Sequence, residues 1–135
     1  MLPLDLARTL KDAGLRWKPA PGDHFAVPDR DLDDELFVLS NMVIQVYELP
    51  EGSVIGFNGT TEWALDDLEQ DEAIWLPRED QLRDLLGGAF RSLSRDGGGY
   101  RVTIGIGAER LDFDSDDPST AYGEALLALI RRGTT

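Results

Sequence analysis

"DGGGYRVTIGIGAERLDF", residues 96–113, decides the fold class. Tyr100, Val102, Ile104 and Ile106 fall on every second position, with Arg101, Thr103, Gly105 and Gly107 between them. A period of two belongs to a strand, because successive side chains leave opposite faces of a sheet. A return strand through Leu111 and Phe113 completes a hairpin, and strands joined by hairpins are antiparallel. Such a sheet needs helices to cover its apolar face.

The flanking segments supply those helices. Downstream, "DPSTAYGEALLALIRRG" reads as the last helix. Asp117 is placed to cap it, Pro118 takes the first helical position, and Tyr122, Ala125, Leu126 and Leu129 share a face. Arg131 and Arg132 suit its negative end, with Gly133 beyond. Upstream, "LPREDQLRDLLGG" reads as a helix opened by Pro77 and ended at Gly87, with Leu82, Leu85 and Leu86 as its stripe. The same spacing runs on through Ala89, Phe90 and Leu93, but two adjacent glycines would each cost a continuing helix about 1 kcal/mol. At the N-terminus, Leu6, Leu10 and Ala13 share a helical face that Gly14 ends.

Between the first two helices the pattern is that of strands. "HFAVP" predicts a short edge strand that stops at Pro28. "ELFVLSNMVIQVYELP" carries the β-branched and aromatic content of one or two strands. Asn58-Gly59 predicts a tight hairpin pairing 53–57 with 60–65 and burying Trp63 and Leu65, because both central positions of a type I′ turn need positive φ. Trp17, Trp63 and Trp75 are expected in packing roles. The whole reads helix, strands, helix, two or three strands, helix. That is an α+β fold, a mainly antiparallel sheet covered by about three helices, in a single domain of 135 residues.

Composition narrows the function. There is no cysteine, so thiol catalysis, disulfides and thiolate zinc sites are excluded together. Acids outnumber bases 26 to 13, for a net charge of −13. A chain so charged repels nucleic acid and anionic membrane surfaces. No apolar stretch approaches the roughly 18 residues a membrane span needs. The N-terminal "MLPLDLARTLKDAGL" mixes charges into its apolar pattern and does not read as a secretory signal, so a cytoplasmic location is expected.

The acids gather at 29–35, 66–72, 79–84 and 112–117. Asp29, Asp31 and Asp33 have the 1-3-5 spacing of a calcium loop, and so do Asp112, Asp114 and Asp116. Such a loop also needs glycine at its sixth position and glutamate at its twelfth. The first cluster offers Asp34 and Ser40 there, and the second Asp117 and Gly123. No metal site is expected from either. The first stretch, "PDRDLDDELF", is expected to be a solvated turn before a strand. "LDFDSD" lacks the downstream lysine that an aspartate-dependent phosphatase requires. Counting back from Arg78 puts Gln70 and Ala64 where a Nudix box needs glutamate and glycine. His24 stands alone, without a nucleophile, and no phosphate-binding loop or nucleophile elbow occurs.

"PDRDLDDELFVLSNM", "GFNGTTEWALDDLEQDEAIWLPREDQLRDLL" and "AYGEALLALI" together resemble a family of small actinobacterial proteins, some labelled as pilus assembly proteins. The resemblance covers most of the chain. It implies a bacterial, cytoplasmic protein of one domain and brings no catalytic residue with it.

The expectation is a non-enzymatic acidic domain that binds another protein, with no cofactor, no metal and no catalytic residue. The partner is expected to be basic and to be neither nucleic acid nor membrane. Asp29, Asp31, Asp33, Asp34, Asp66 and Asp67 are the acids expected at its surface. Two alternatives stand beside this reading. One is an immunity- or antitoxin-like inhibitor of a basic toxin; the other is a small enzyme using the acids of residues 29–35.

Overall fold

The computed structural model describes residues 1–27, 32–38, 43–49, 52–58, 67–69 and 73–133, with backbone alone for the strands from 32 to 69 and no side chain at position 96. The elements run α1 (Leu4–Asp12), β1 (His24–Val27), β2 (Leu32–Val38), β3 (Val43–Leu49), β4 (Gly52–Asn58), β5 (Asp67–Glu69), β6 (Ile74–Trp75), α2 (Glu79–Leu86), β7 (Phe90–Asp96), β8 (Gly99–Ile106), β9 (Glu109–Ser115) and α3 (Pro118–Gly133). This is an α+β protein in the expected order, and every strand pairing described is antiparallel. Two compact units divide it. One joins the chain ends, Met1–Arg16 with Leu76–Thr135; the other is Trp17–Trp75.

The first unit is built on the sheet β7-β8-β9. Helix α3 packs on β8 and β9, and α1 and α2 pack on α3. Val102 and Ile104 are fully buried beneath it, as is Tyr122, whose ring meets Phe90 at 5.9 Å. Each such side chain contributes roughly 1.5–3 kcal/mol of hydrophobic stabilisation. Asp117 caps α3 through the Ser119 amide at 3.3 Å and the Thr120 hydroxyl at 3.1 Å. Gly133 lies inside the last turn rather than beyond it. In α1, Ala7 and Leu10 face inward.

Helix α2 ends at Leu86, with Gly87 as its cap at φ +54°. Residues 87–89 make one 3₁₀ turn, and Phe90 then enters strand β7. The leucine spacing that runs on to Leu93 therefore crosses from a helix into a strand. Gly97 and Gly98, at φ +58° and +94°, close the β7–β8 hairpin. These values match a type I′ turn, whose two central residues both need positive φ.

The second unit holds two three-stranded sheets, β2-β1-β6 and β3-β4-β5. Three expectations are corrected here. Strand β1 is central rather than an edge: β2 pairs on one side, β6 on the other, and Phe25, Ala26 and Val27 are all buried. The acidic stretch before Phe37 is not simply a turn, because β2 begins at Leu32, opposite Val27. Finally, β4 pairs with β3 on one side and with 67–69 on the other (Val54 with Glu69, Gly56 with Asp67), so both its edges are taken at 54–56, while residues 60–65 lie outside the described residues. Asn58 is held opposite Val43 at the end of the β3–β4 ladder. As a paired strand residue it belongs to the ladder rather than to the two central residues of a tight turn. Trp63 and Leu65 lie outside the described residues.

Trp17 is 7% exposed and stacks at 5.4 Å on Phe25, and its indole N–H donates to Asp23 Oδ2 at 2.9 Å. The same oxygen accepts the Ala20 amide at 3.0 Å. Asp23, only 3% exposed, thus fastens the proline-rich segment that leads into β1. Trp75 is half-buried, so Trp17 and Trp75 both take packing roles.

Candidate functional site

Strand alternation gives the β7-β8-β9 sheet two unlike faces. The one under α3 carries Tyr100, Val102, Ile104 and Ile106. The other carries Arg101, Thr103 and Gly105 of β8, opposite Asp114, Asp112 and Arg110 of β9. Asp112 and Asp114 of the 1-3-5 set are therefore consecutive residues of one strand face, because a spacing of two in sequence is a spacing of one along that face, while Asp116 follows the end of β9; all three are exposed.

Two of the three are matched with donors. Arg101 holds Asp114 with two hydrogen bonds, at 2.7 and 3.2 Å. The Thr103 hydroxyl donates to Asp112 at 2.7 Å, and Arg110 reaches the same oxygen at 3.4 Å. Hydrogen bonding favours the charged form of a carboxylate. Thr103, followed by Arg110 and Arg101, holds Asp112 below its ordinary pKa, and Arg101 does the same for Asp114. Elsewhere in this unit Arg132 lowers Glu109, which it meets at 2.7 Å, and Arg78 lowers Asp80. All four are driven away from neutrality, the wrong direction for a proton donor or acceptor that works near pH 7. This face holds carboxylates in fixed, ionised positions. Beside it, at the β7–β8 turn, lies an open depression of about 360 Å³ lined by Gly97, Gly99, Tyr100, Arg101, Asp114, Ser115 and Asp116. Among the described residues no group of three His, Asp or Glu is arranged to hold a metal ion.

The six acids expected at a partner surface divide differently. Asp29, Asp31 and Asp66 lie outside the described residues. Asp33 and Asp34 belong to β2, and Asp67 belongs to β5, in another sheet; both strands are sheet edges. All six sit in the Trp17–Trp75 unit.

Counting the ionisable residues unit by unit exposes a strong asymmetry. Met1–Arg16 with Leu76–Thr135 contains 12 acidic and 11 basic residues, a net charge of −1. Trp17–Trp75 contains 14 acidic and 2 basic residues, a net charge of −12. Nearly all the excess charge therefore belongs to one unit. Its two bases, Lys18 and Arg30, could pair with only a small part of its acids. In the near-neutral unit Arg78, Arg101, Arg110 and Arg132 are matched with carboxylates.

Among the described residues no helix is long and apolar enough to cross a membrane. Comparison with family models, curated proteins and solved structures finds no match for this chain.

Proposed function

We propose that this protein is a non-enzymatic binding domain whose acidic Trp17–Trp75 unit engages a basic partner protein, the Met1–Arg16/Leu76–Thr135 unit serving as its folded support. The observation that carries this reading is the charge division, −12 against −1. A local excess of that size raises a potential that draws in cationic surfaces and repels nucleic acid and anionic lipid. In the Met1–Arg16/Leu76–Thr135 unit the described carboxylates whose surroundings shift them are shifted downward, which suits fixed charge and not proton transfer. An inhibitor of a basic toxin is the special case in which the covered surface is the toxin's own working face. Absence of both a cysteine and a membrane-length apolar run accords with a cytoplasmic site of action.

The reading is tested by capturing the partner from the protein's own cells and measuring its affinity for wild type and for a variant with Asp29, Asp31, Asp33 and Asp34 changed to asparagine. The expected result is a basic partner whose affinity falls by at least about tenfold, or roughly 1.4 kcal/mol. An acidic partner, or a partner whose affinity the variant leaves unchanged, would refute it.

A further inference from the structure

Among the described residues strand β7 is an edge of its sheet. It pairs with β8 on one side, and among the described residues no strand pairs with the other. The type I′ turn fixes which groups point outward. In a two-residue hairpin the closing pair, Asp96 with Gly99, is hydrogen-bonded, so bonding pairs recur at Ser94–Arg101 and Ser92–Thr103. Leu93 and Arg95 therefore direct their N–H and C=O groups away from β8. Every residue from Arg91 to Arg95 is exposed, and Leu93 is one of the few exposed large apolar side chains.

The arginines of this sheet divide the same way. Arg101 of β8 and Arg110 of β9 are paired with aspartates. Arg91 and Arg95 of β7 meet no carboxylate among the described residues, in a chain where acids outnumber bases two to one. Arg95 lies over the Tyr100 ring at 5.8 Å. Arg91 is held in place: its Nη1 donates to the carbonyls of Gly88 and Phe90. Its Nε and Nη2 lie 3.0 Å from where a Cβ on Gly105 would stand, so glycine there leaves the guanidinium its seat. With Nη1 occupied, the Nε–Nη2 edge remains for a two-point contact with a carboxylate.

We infer that β7 is a strand-addition site for an extended acidic segment of a partner polypeptide, which pairs with Leu93 and Arg95 along the backbone and sets carboxylates on Arg91 and Arg95. Main-chain bonds supply the pairing and the arginines supply the selection. The other reading of charges on a sheet edge is protection against aggregation, to which the register shift between Phe90 and Ser92 also contributes. Protection predicts no saturable binding. Strand β7 belongs to the Met1–Arg16/Leu76–Thr135 unit, so the proposal stands whether or not a basic partner exists.

Arg91 lies over Gly105 and Arg95 over Tyr100, on opposite faces of the sheet. The test therefore titrates the full chain with a blocked valine-containing peptide that carries glutamate on both strand faces, and with its lysine counterpart, followed by amide NMR. The expected result is saturable shifts centred on Ser92–Arg95 with the glutamate peptide only, at a Kd tighter than about 1 mM. Changing Arg91 and Arg95 to glutamine should weaken binding by about tenfold or more. Leu93→Pro removes one outward N–H while sparing the ladder to β8, and should abolish binding with the rest of the spectrum retained. No binding below about 1 mM, or equal binding of both peptides, would overturn the proposal. So would concentration-dependent self-association of the chain that Leu93→Pro removes, since a second copy would then be the occupant.

Discussion

Gly123 offers the sharpest test of how the near-neutral unit is packed. It is buried within α3, and a Cβ there would stand 2.6 Å from Leu2 Cδ1 and 2.7 Å from Leu6 Cδ2. Favourable carbon contacts lie near 3.5–4.0 Å, so the added methyl would overlap two side chains by about 1 Å each. Gly123→Ala should therefore incur an overpacking penalty of about 1–3 kcal/mol. Against this, alanine is about 1 kcal/mol better than glycine in a helix interior. The net expectation is destabilisation of about 0–2 kcal/mol, where the same substitution at an exposed helical site would stabilise. Urea denaturation followed by circular dichroism measures it. The variant should then be remade with Leu2 and Leu6 both changed to alanine. In that background the methyl has room, and Gly123→Ala should become stabilising by up to about 1 kcal/mol. If Gly123→Ala stabilises the wild-type chain, or has the same effect in both backgrounds, α1 does not lie against α3 at this point.

Three further outcomes follow from individual contacts. Thr103→Val removes the main donor to Asp112, so a carbon-detected carboxyl titration should show the Asp112 midpoint rising toward the ordinary value of about 3.9 while Glu109 stays put. Because the folded pKa values of Asp112, Asp114 and Glu109 are depressed, the stability they contribute is present above the ordinary carboxylate range and is lost as pH falls from there through the depressed folded values. Arg101→Ala and Arg132→Ala should therefore reduce stability less at pH 3 than at pH 7, and an equal reduction at both would contradict the ion pairing. Trp17→Phe keeps a ring on Phe25 but removes a donor to buried Asp23, and should lower stability by about 1–3 kcal/mol in thermal denaturation.

Legibility in the sequence followed how much each element depends on its own pattern. Strands β8 and β9 alternate apolar and polar residues because one face lies under α3 and the other carries the paired polar side chains of Arg101, Thr103, Asp112 and Asp114, and both were readable residue by residue. Asp117 capping α3 and Gly87 ending α2 were readable because backbone conformation at a helix terminus restricts residue type. Strand β7 was not. "FRSLSRD" has no β-branched residue, and an exposed edge strand need not bury one. Its local clue is Gly97-Gly98, the turn that sends the chain back into β8. In the other unit, Asn58-Gly59 is a strong turn signal, but Asn58 is a paired residue of the β3–β4 ladder. A local preference of about 1 kcal/mol yields to a seven-residue ladder.

The candidate site was legible as chemistry rather than as geometry. An acidic excess was plain from composition, and its residence in residues 17–75 could be counted, but nothing in the sequence marks Trp17 and Trp75 as the limits of that unit. Likewise, the two aspartate clusters look alike as 1-3-5 patterns. Only pairing with β8 reveals that Asp112 and Asp114 are matched with Thr103, Arg101 and Arg110, each distant in sequence or unremarkable near it.

The claim that the acidic unit exists to meet a basic partner is tested most directly by the association rate of the captured complex as a function of salt. Attraction between separated charges is screened over a Debye length of about 10 Å at 0.1 M salt and acts mainly on the encounter. Between about 50 and about 500 mM salt the association rate should fall by at least about tenfold while dissociation changes little, and the asparagine variant at 29, 31, 33 and 34 should flatten that slope. An association rate indifferent to salt would mean that the −12 charge serves solubility alone.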